Sequence, residues 1–144
     1  MQSLQGQIDA VVADERLRAA ETYRFMEEQT IAKQLSPDQW EELKPALTAH
    51  CEKLQKHSRL ELSVEDDGDD FAIRNSTDGR VMSFRFNRDV PCIHYITPDG
   101  RRGHFGFRVA PRNKSILQIM DAARAMLIPE IVALAFKRVI SQRD

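Results

Sequence analysis

Between Arg59 and Ala110 the spacing of apolar residues changes from a helical period to strict alternation, and no other feature restricts the fold of this chain as strongly. The alternating sets are Leu60/Leu62/Val64, Phe71/Ile73, Met82/Phe84/Phe86, Ile93/Tyr95 and Phe105/Phe107/Val109, which predict five strands within 59–110. Between them lie Asp66-Asp67-Gly68-Asp69, Ser76-Thr77-Asp78-Gly79, Arg88-Asp89-Val90-Pro91 and Pro98-Asp99-Gly100, segments built from residues that supply positive φ or a fixed turn. Connections this short join antiparallel neighbours, so the strands should form a meander. One of its faces must then be covered by helices for a core to exist.

The flanking segments supply those helices. Leu4, Ile8, Val11, Val12, Tyr23, Met26 and Ile31 recur at three- and four-residue steps, predicting an amphipathic helix over about 4–35. Ser36-Pro37-Asp38-Gln39 places a capping serine, a first-turn proline and a capping-box glutamine before Trp40, Leu43, Leu47, Cys51 and Leu54. A second helix is therefore expected over 37–57, with Pro45 kinking it or delaying its start. Ser115-Ile116-Leu117-Gln118 repeats the capping pattern and opens a third helix over about 115–141, with Pro129 bending it or starting a new segment. The expectation is one α+β domain spanning 1–144, in the order α-α-β-β-β-β-β-α: a five-stranded antiparallel β-meander packed by two N-terminal helices and one long C-terminal helix. Between Ala122 and Phe136 the last helix is apolar nearly all round. That is more than one sheet face can bury, so the helix is expected either to be central or to meet another subunit, with Ile131, Leu134 and Phe136 as the interface candidates.

Composition narrows the function classes. At 144 residues, 42% hydrophobic and 30% charged, the chain can bury one core and is neither collagen-like nor low-complexity. Cys51 and Cys92 are too few for a disulfide framework and are expected to be reduced. The opening residues carry no secretory pattern, and the most apolar stretch, 125–136, is interrupted by Pro129 and Glu130, so a cytoplasmic protein without a membrane span is expected. The formal charge of −1 hides an asymmetry: residues 58–80 sum to −4 and residues 81–114 to +5.

Loop lengths fix a register. With Asp67-Gly68 as a two-residue turn, four-residue loops at 76–79 and 88–91, and a three-residue loop at 98–100, Leu62 opposes Ile73, Phe71 opposes Phe84, Phe84 opposes Tyr95, and Ile93 opposes Phe105. The other face then gains a transverse row of Glu65, Asp70, Arg85, His94 and His104, with Arg108 on the same side. Carboxylates, guanidinium and imidazoles are the groups that clamp acidic ligands or exchange protons. They are equally the ordinary cross-strand partners of a wet sheet face.

Arg85, His94, His104, Arg108 and Asp70 are thus the ligand-binding candidates, for a small acidic ligand, and no residue is assigned a catalytic role. Cys92 and His94 project to one face two residues apart, but no nucleophile motif surrounds them. No close His/Cys spacing announces a metal, the acidic run 66–70 lacks the spacing of a calcium loop, and phosphate-loop, HExxH and GxSxG motifs are absent, so neither metal nor cofactor is expected. Arg102-Gly103-His104-Phe105-Gly106-Phe107-Arg108-Val109 shares residue types with the octapeptide of RNA-recognition motifs, but His104 interrupts the pattern and the element order differs. The leading expectation is a non-catalytic binding module that self-associates as a homodimer or joins a protein partner. A ligand-binding protein or enzyme using the polar row stands second, and a weak nucleic-acid binder through 81–114 third.

Overall fold

The computed structural model describes residues 3–140. Helix α1 (Leu4–His57) leads into seven strands, β1 (Leu62–Asp67), β2 (Asp70–Asn75), β3 (Arg80–Asn87), β4 (Cys92–Ile96), β5 (Arg102–Ala110), β6 (Asn113–Asp121) and β7 (Arg124–Met126), and helix α2 (Ile128–Ile140) closes the chain. The strands form one open antiparallel sheet in strict sequence order. The fold is α+β, as expected, but seven strands and two helices replace the expected five and three.

The two expected N-terminal helices are one. Ser3 caps it by accepting from the Gly6 amide at 3.0 Å, and the helix runs unbroken for 54 residues, about 80 Å at 1.5 Å per residue. The capping signal at Ser36-Pro37 is overridden by tertiary packing. Ala32 buries against Val109 and Leu117 before the proline, while Trp40, Leu43 and Leu47 bury in the main core after it. A break at Ser36 would withdraw one set or the other. Ser36 itself is fully buried with no partner for its hydroxyl, and Gln39 donates to the Leu117 carbonyl at 2.8 Å instead of closing a capping box. Pro45 likewise lies within the helix.

The expected helix over 115–141 divides into β6, β7 and α2. Its apolar residues occupy both odd and even positions, so periodicity alone does not separate strand from helix there. In the fold Leu117 and Ile119 turn inward, the Ser115 hydroxyl bonds Asn113 Oδ1, and Gln118 Oε1 accepts from Arg108. Pro129 lies in the first turn of the true helix, where its missing amide costs nothing, and Glu130 accepts from the Leu127 amide at 3.2 Å. The β6–β7 connection is Ala122-Ala123, with Asp121 opposite Arg124, and Ala122 adopts φ of 53°. A side chain there is strained where glycine is not. Ala122→Gly should therefore raise the unfolding free energy by about 0.5–1 kcal/mol. Thermal denaturation followed by circular dichroism should show a higher Tm, and an unchanged or lower Tm would contradict the strain.

Both helices lie on one face of the sheet. Helix α1 packs on β1, β5 and β6 and α2 on β2 and β3, around Trp40, Leu43, Leu47, Phe71, Ile73, Phe84, Ile93, Phe105, Ile131 and Val139. Trp40 stacks on Phe86 at 5.8 Å and donates its indole N–H to the Gly68 carbonyl at 2.9 Å. Lys44, one turn on, donates to the same carbonyl at 3.0 Å and to Asp66 at 3.1 Å, so α1 grips the β1–β2 turn twice. Asn75, fully buried, donates to the Val139 carbonyl at 3.2 Å and ties the end of α2 to the sheet. Cys51 is buried in the core, as its place on the helical stripe implies.

Candidate functional site

Three surfaces stand out beyond the core: the uncovered face of the sheet, the exposed start of α1, and a groove between α1 and α2. On the sheet, Asp70 pairs with Arg85, Arg85 with His94, and His94 with His104, so four of the five expected row members stand side by side. Glu65 does not join them. The two-residue turn is Gly68-Asp69, with Gly68 at φ of 74°, which moves β1 by two residues. Leu62 therefore opposes Asn75 and Val64 opposes Ile73, while Glu65 lies opposite Ala72 and bridges to Arg74 at 3.3 Å. Asp67 takes its place beside Asp70. Because the slip is even, every side chain keeps its face.

Arg85 and Arg108 each already have a side-chain partner. Arg85 Nε donates to Asp70 at 2.7 Å, and Arg108, on the same face beyond Gly106, donates to Gln118 Oε1 at 2.8 Å. An acidic ligand at either guanidinium would share it with a neighbouring side chain and use the N–H donors that remain. The rings of His94 and His104 lie 6.1 Å apart, and Cys92 Sγ is 3.1 Å from His94 Nε2. Burial pushes the Cys92 thiol above its ordinary range, whereas an activated nucleophile needs the opposite shift. Asp70, Arg85, His94 and Arg102 line a shallow concavity of about 1020 Å³ on this face. Sequence reasoning missed its rim, where Arg88 forks onto Asp69 at 2.8–3.1 Å and lies 5.2 Å from the Phe86 ring. Among the described residues no group of three His, Cys, Asp or Glu side chains converges as a metal site. Within the basic segment, Arg101 pairs with Asp99 and Lys114 with Glu27.

The exposed start of α1 is different in kind. Residues 4–19 of α1 project past the sheet, and Leu4, Ile8, Val11, Val12 and Leu17 are 39–74% exposed. Toward residue 20 the helix meets the β5–β6 hairpin, where Lys114 bridges to Glu27 at 2.8 Å. Periodicity places Leu4, Ile8, Val11 and Val12 on the apolar face of a helix expected to pack on the sheet, and it marks such a face without saying what covers it. A second apolar surface lies between the C-terminal half of α1 and α2, a groove of about 740 Å³ lined by Ala49, Leu54, Pro129, Ala133 and Ile140 among others. Its polar lining is basic: His50, which packs on Phe136 at 4.7 Å, together with Lys53 and Lys137. Of the three residues expected at an interface, Ile131 and Phe136 are 1% and 3% exposed within this chain's core, and Leu134 is 39% exposed. No helix among the described residues is long and apolar enough to cross a membrane. Comparison with known proteins gives no matching family model, no matching curated protein and no matching solved structure.

Proposed function

We propose that this chain is a non-catalytic binding module that works as a self-associating unit. The observation that carries the reading is the projecting start of α1, with Leu4, Ile8, Val11 and Val12 on one face of four turns of helix in which every residue but Gly6 is exposed. An isolated helix of this length is marginal in water, and it gains stability when its apolar face is packed. Apolar residues contiguous on one element and rimmed by charge mark an interaction surface rather than ordinary exposure. The polar row of the sheet supports the non-catalytic part of the reading, since Arg85 and Arg108 are engaged by neighbouring side chains and the Cys92 thiol is held neutral.

Light scattering on a size-exclusion column tests this directly. The unaltered chain should run at twice its 16.5 kDa mass, and Ile8→Glu with Val12→Glu should return it to the single-chain mass with an unchanged circular dichroism spectrum. A single-chain mass for the unaltered protein from micromolar to millimolar concentration would overturn the proposal.

A further inference from the structure

We infer that the projecting start of α1 seats in the α1–α2 groove of a second copy, so that each subunit completes the helical layer of the other. The inference rests on the self-association proposed above and names its contact. Size matches first. Residues 4–19 form about 24 Å of helix and α2 about 20 Å, so one arm covers one groove along its length. Chemistry matches next, because both surfaces are apolar along the middle and their charges are opposite. Residues 4–15, the part of the arm set opposite the groove, carry Asp9, Asp14 and Glu15, with Arg16 and Arg18 following and Arg18 bridged to Asp14, whereas the groove carries Lys53 and Lys137 and no acidic residue. Complementary charge of this kind selects a partner and its orientation.

Symmetry matches last. The arm and one wall of the groove belong to the same continuous helix, so two copies related by a two-fold axis lay their α1 helices antiparallel and form the contact twice. With helix ends flush, Leu4 falls beside His57, Ile8 beside Lys53, Val11 beside His50 and Val12 beside Ala49. The arm then packs as a third helix on α1 and α2 of its partner, over Ala49, Ala133 and Leu54, whose small or apolar side chains permit close approach.

Disulfide trapping in the full chain tests the seat. Cys92→Ser removes the half-buried thiol, and Val12→Cys with Ala49→Cys adds two at exposed positions, where neither is needed for folding. Within one straight helix these positions are about 55 Å apart, so they cannot join in one chain. Mild oxidation should convert most of the double variant to a disulfide-linked dimer, with a peptide pairing positions 12 and 49 identified by mass spectrometry. Ala133→Glu, which sets a carboxylate against the acidic arm, should weaken association at least tenfold. If the unaltered protein is dimeric but the double variant yields no such link, or the Val12→Cys variant alone links position 12 to position 12, the seat is wrong and self-association stands. If the unaltered protein is a single chain throughout, both fall.

Discussion

Trp40→Ala should lower the unfolding free energy by about 3–5 kcal/mol, the largest single loss expected in this protein. The side chain is fully buried where α1 crosses the sheet, stacks on Phe86, and donates to the Gly68 carbonyl at 2.9 Å. Truncation removes its apolar contacts, opens a cavity between layers, and strips one of two donors from that carbonyl. Trp40→Phe keeps most of the ring packing and loses the N–H, and should cost about 1–2 kcal/mol. The chain has one tryptophan, so unfolding in guanidinium is best followed by circular dichroism. A loss below about 1.5 kcal/mol for the alanine variant would mean that α1 does not depend on this contact.

Lys44→Ala should cost about 2–3 kcal/mol, because the residue is 6% exposed and its ammonium holds Asp66, the Gly68 carbonyl and, at 3.3 Å, Glu41. Asp66 and Glu41 are half exposed and regain water when the lysine is removed, which keeps the loss below that of a fully buried pair. Burial draws the Lys44 pKa down, but the hydrogen bonds and charges of Asp66 and Glu41 more than offset it and leave it raised. A cation with a raised folded pKa contributes its full stabilisation below the ordinary lysine value and loses it as pH climbs through the folded one. Lys44→Met, which preserves the aliphatic stem, should therefore be less stable than the unaltered protein at pH 7 and converge toward it above about pH 10.4. A gap independent of pH up to pH 12 would assign the effect to packing.

The register of three hairpins was legible in the sequence because four-residue and three-residue loops, ending in Gly79, Pro91 and Gly100, each allow one pairing that keeps Phe71, Phe84, Tyr95 and Ile93 inward. The first hairpin was not, since Asp67-Gly68 and Gly68-Asp69 are equally good turns in an acidic run and both keep the apolar residues together. Helix boundaries failed where local signals competed with burial. Ser36-Pro37 reads as a start until Ala32 and Trp40 are both found buried, and Ala122-Ala123 reads as helix because it lacks the glycine or asparagine that usually marks a tight turn. Of the candidate site, Asp70, Arg85, His94 and His104 follow from register alone. The groove does not, because Ala49 on α1 and Ala133 on α2 are brought together only by tertiary packing.

A meander in sequence order leaves two strands with an unpaired side, and the ends of this sheet are unequal. Strand β7 has three residues, too few to template another strand, while β1 has six. Half of those six are Glu65, Asp66 and Asp67. A second molecule docking β1 to β1 in parallel would bring these three carboxylates against three, and in antiparallel would set them opposite Val64, Ser63 and Leu62, so either way the acidic half of the strand disfavours the pairing. The acidic half of β1 is thus a built-in guard against edge-to-edge joining of sheets between copies of this chain.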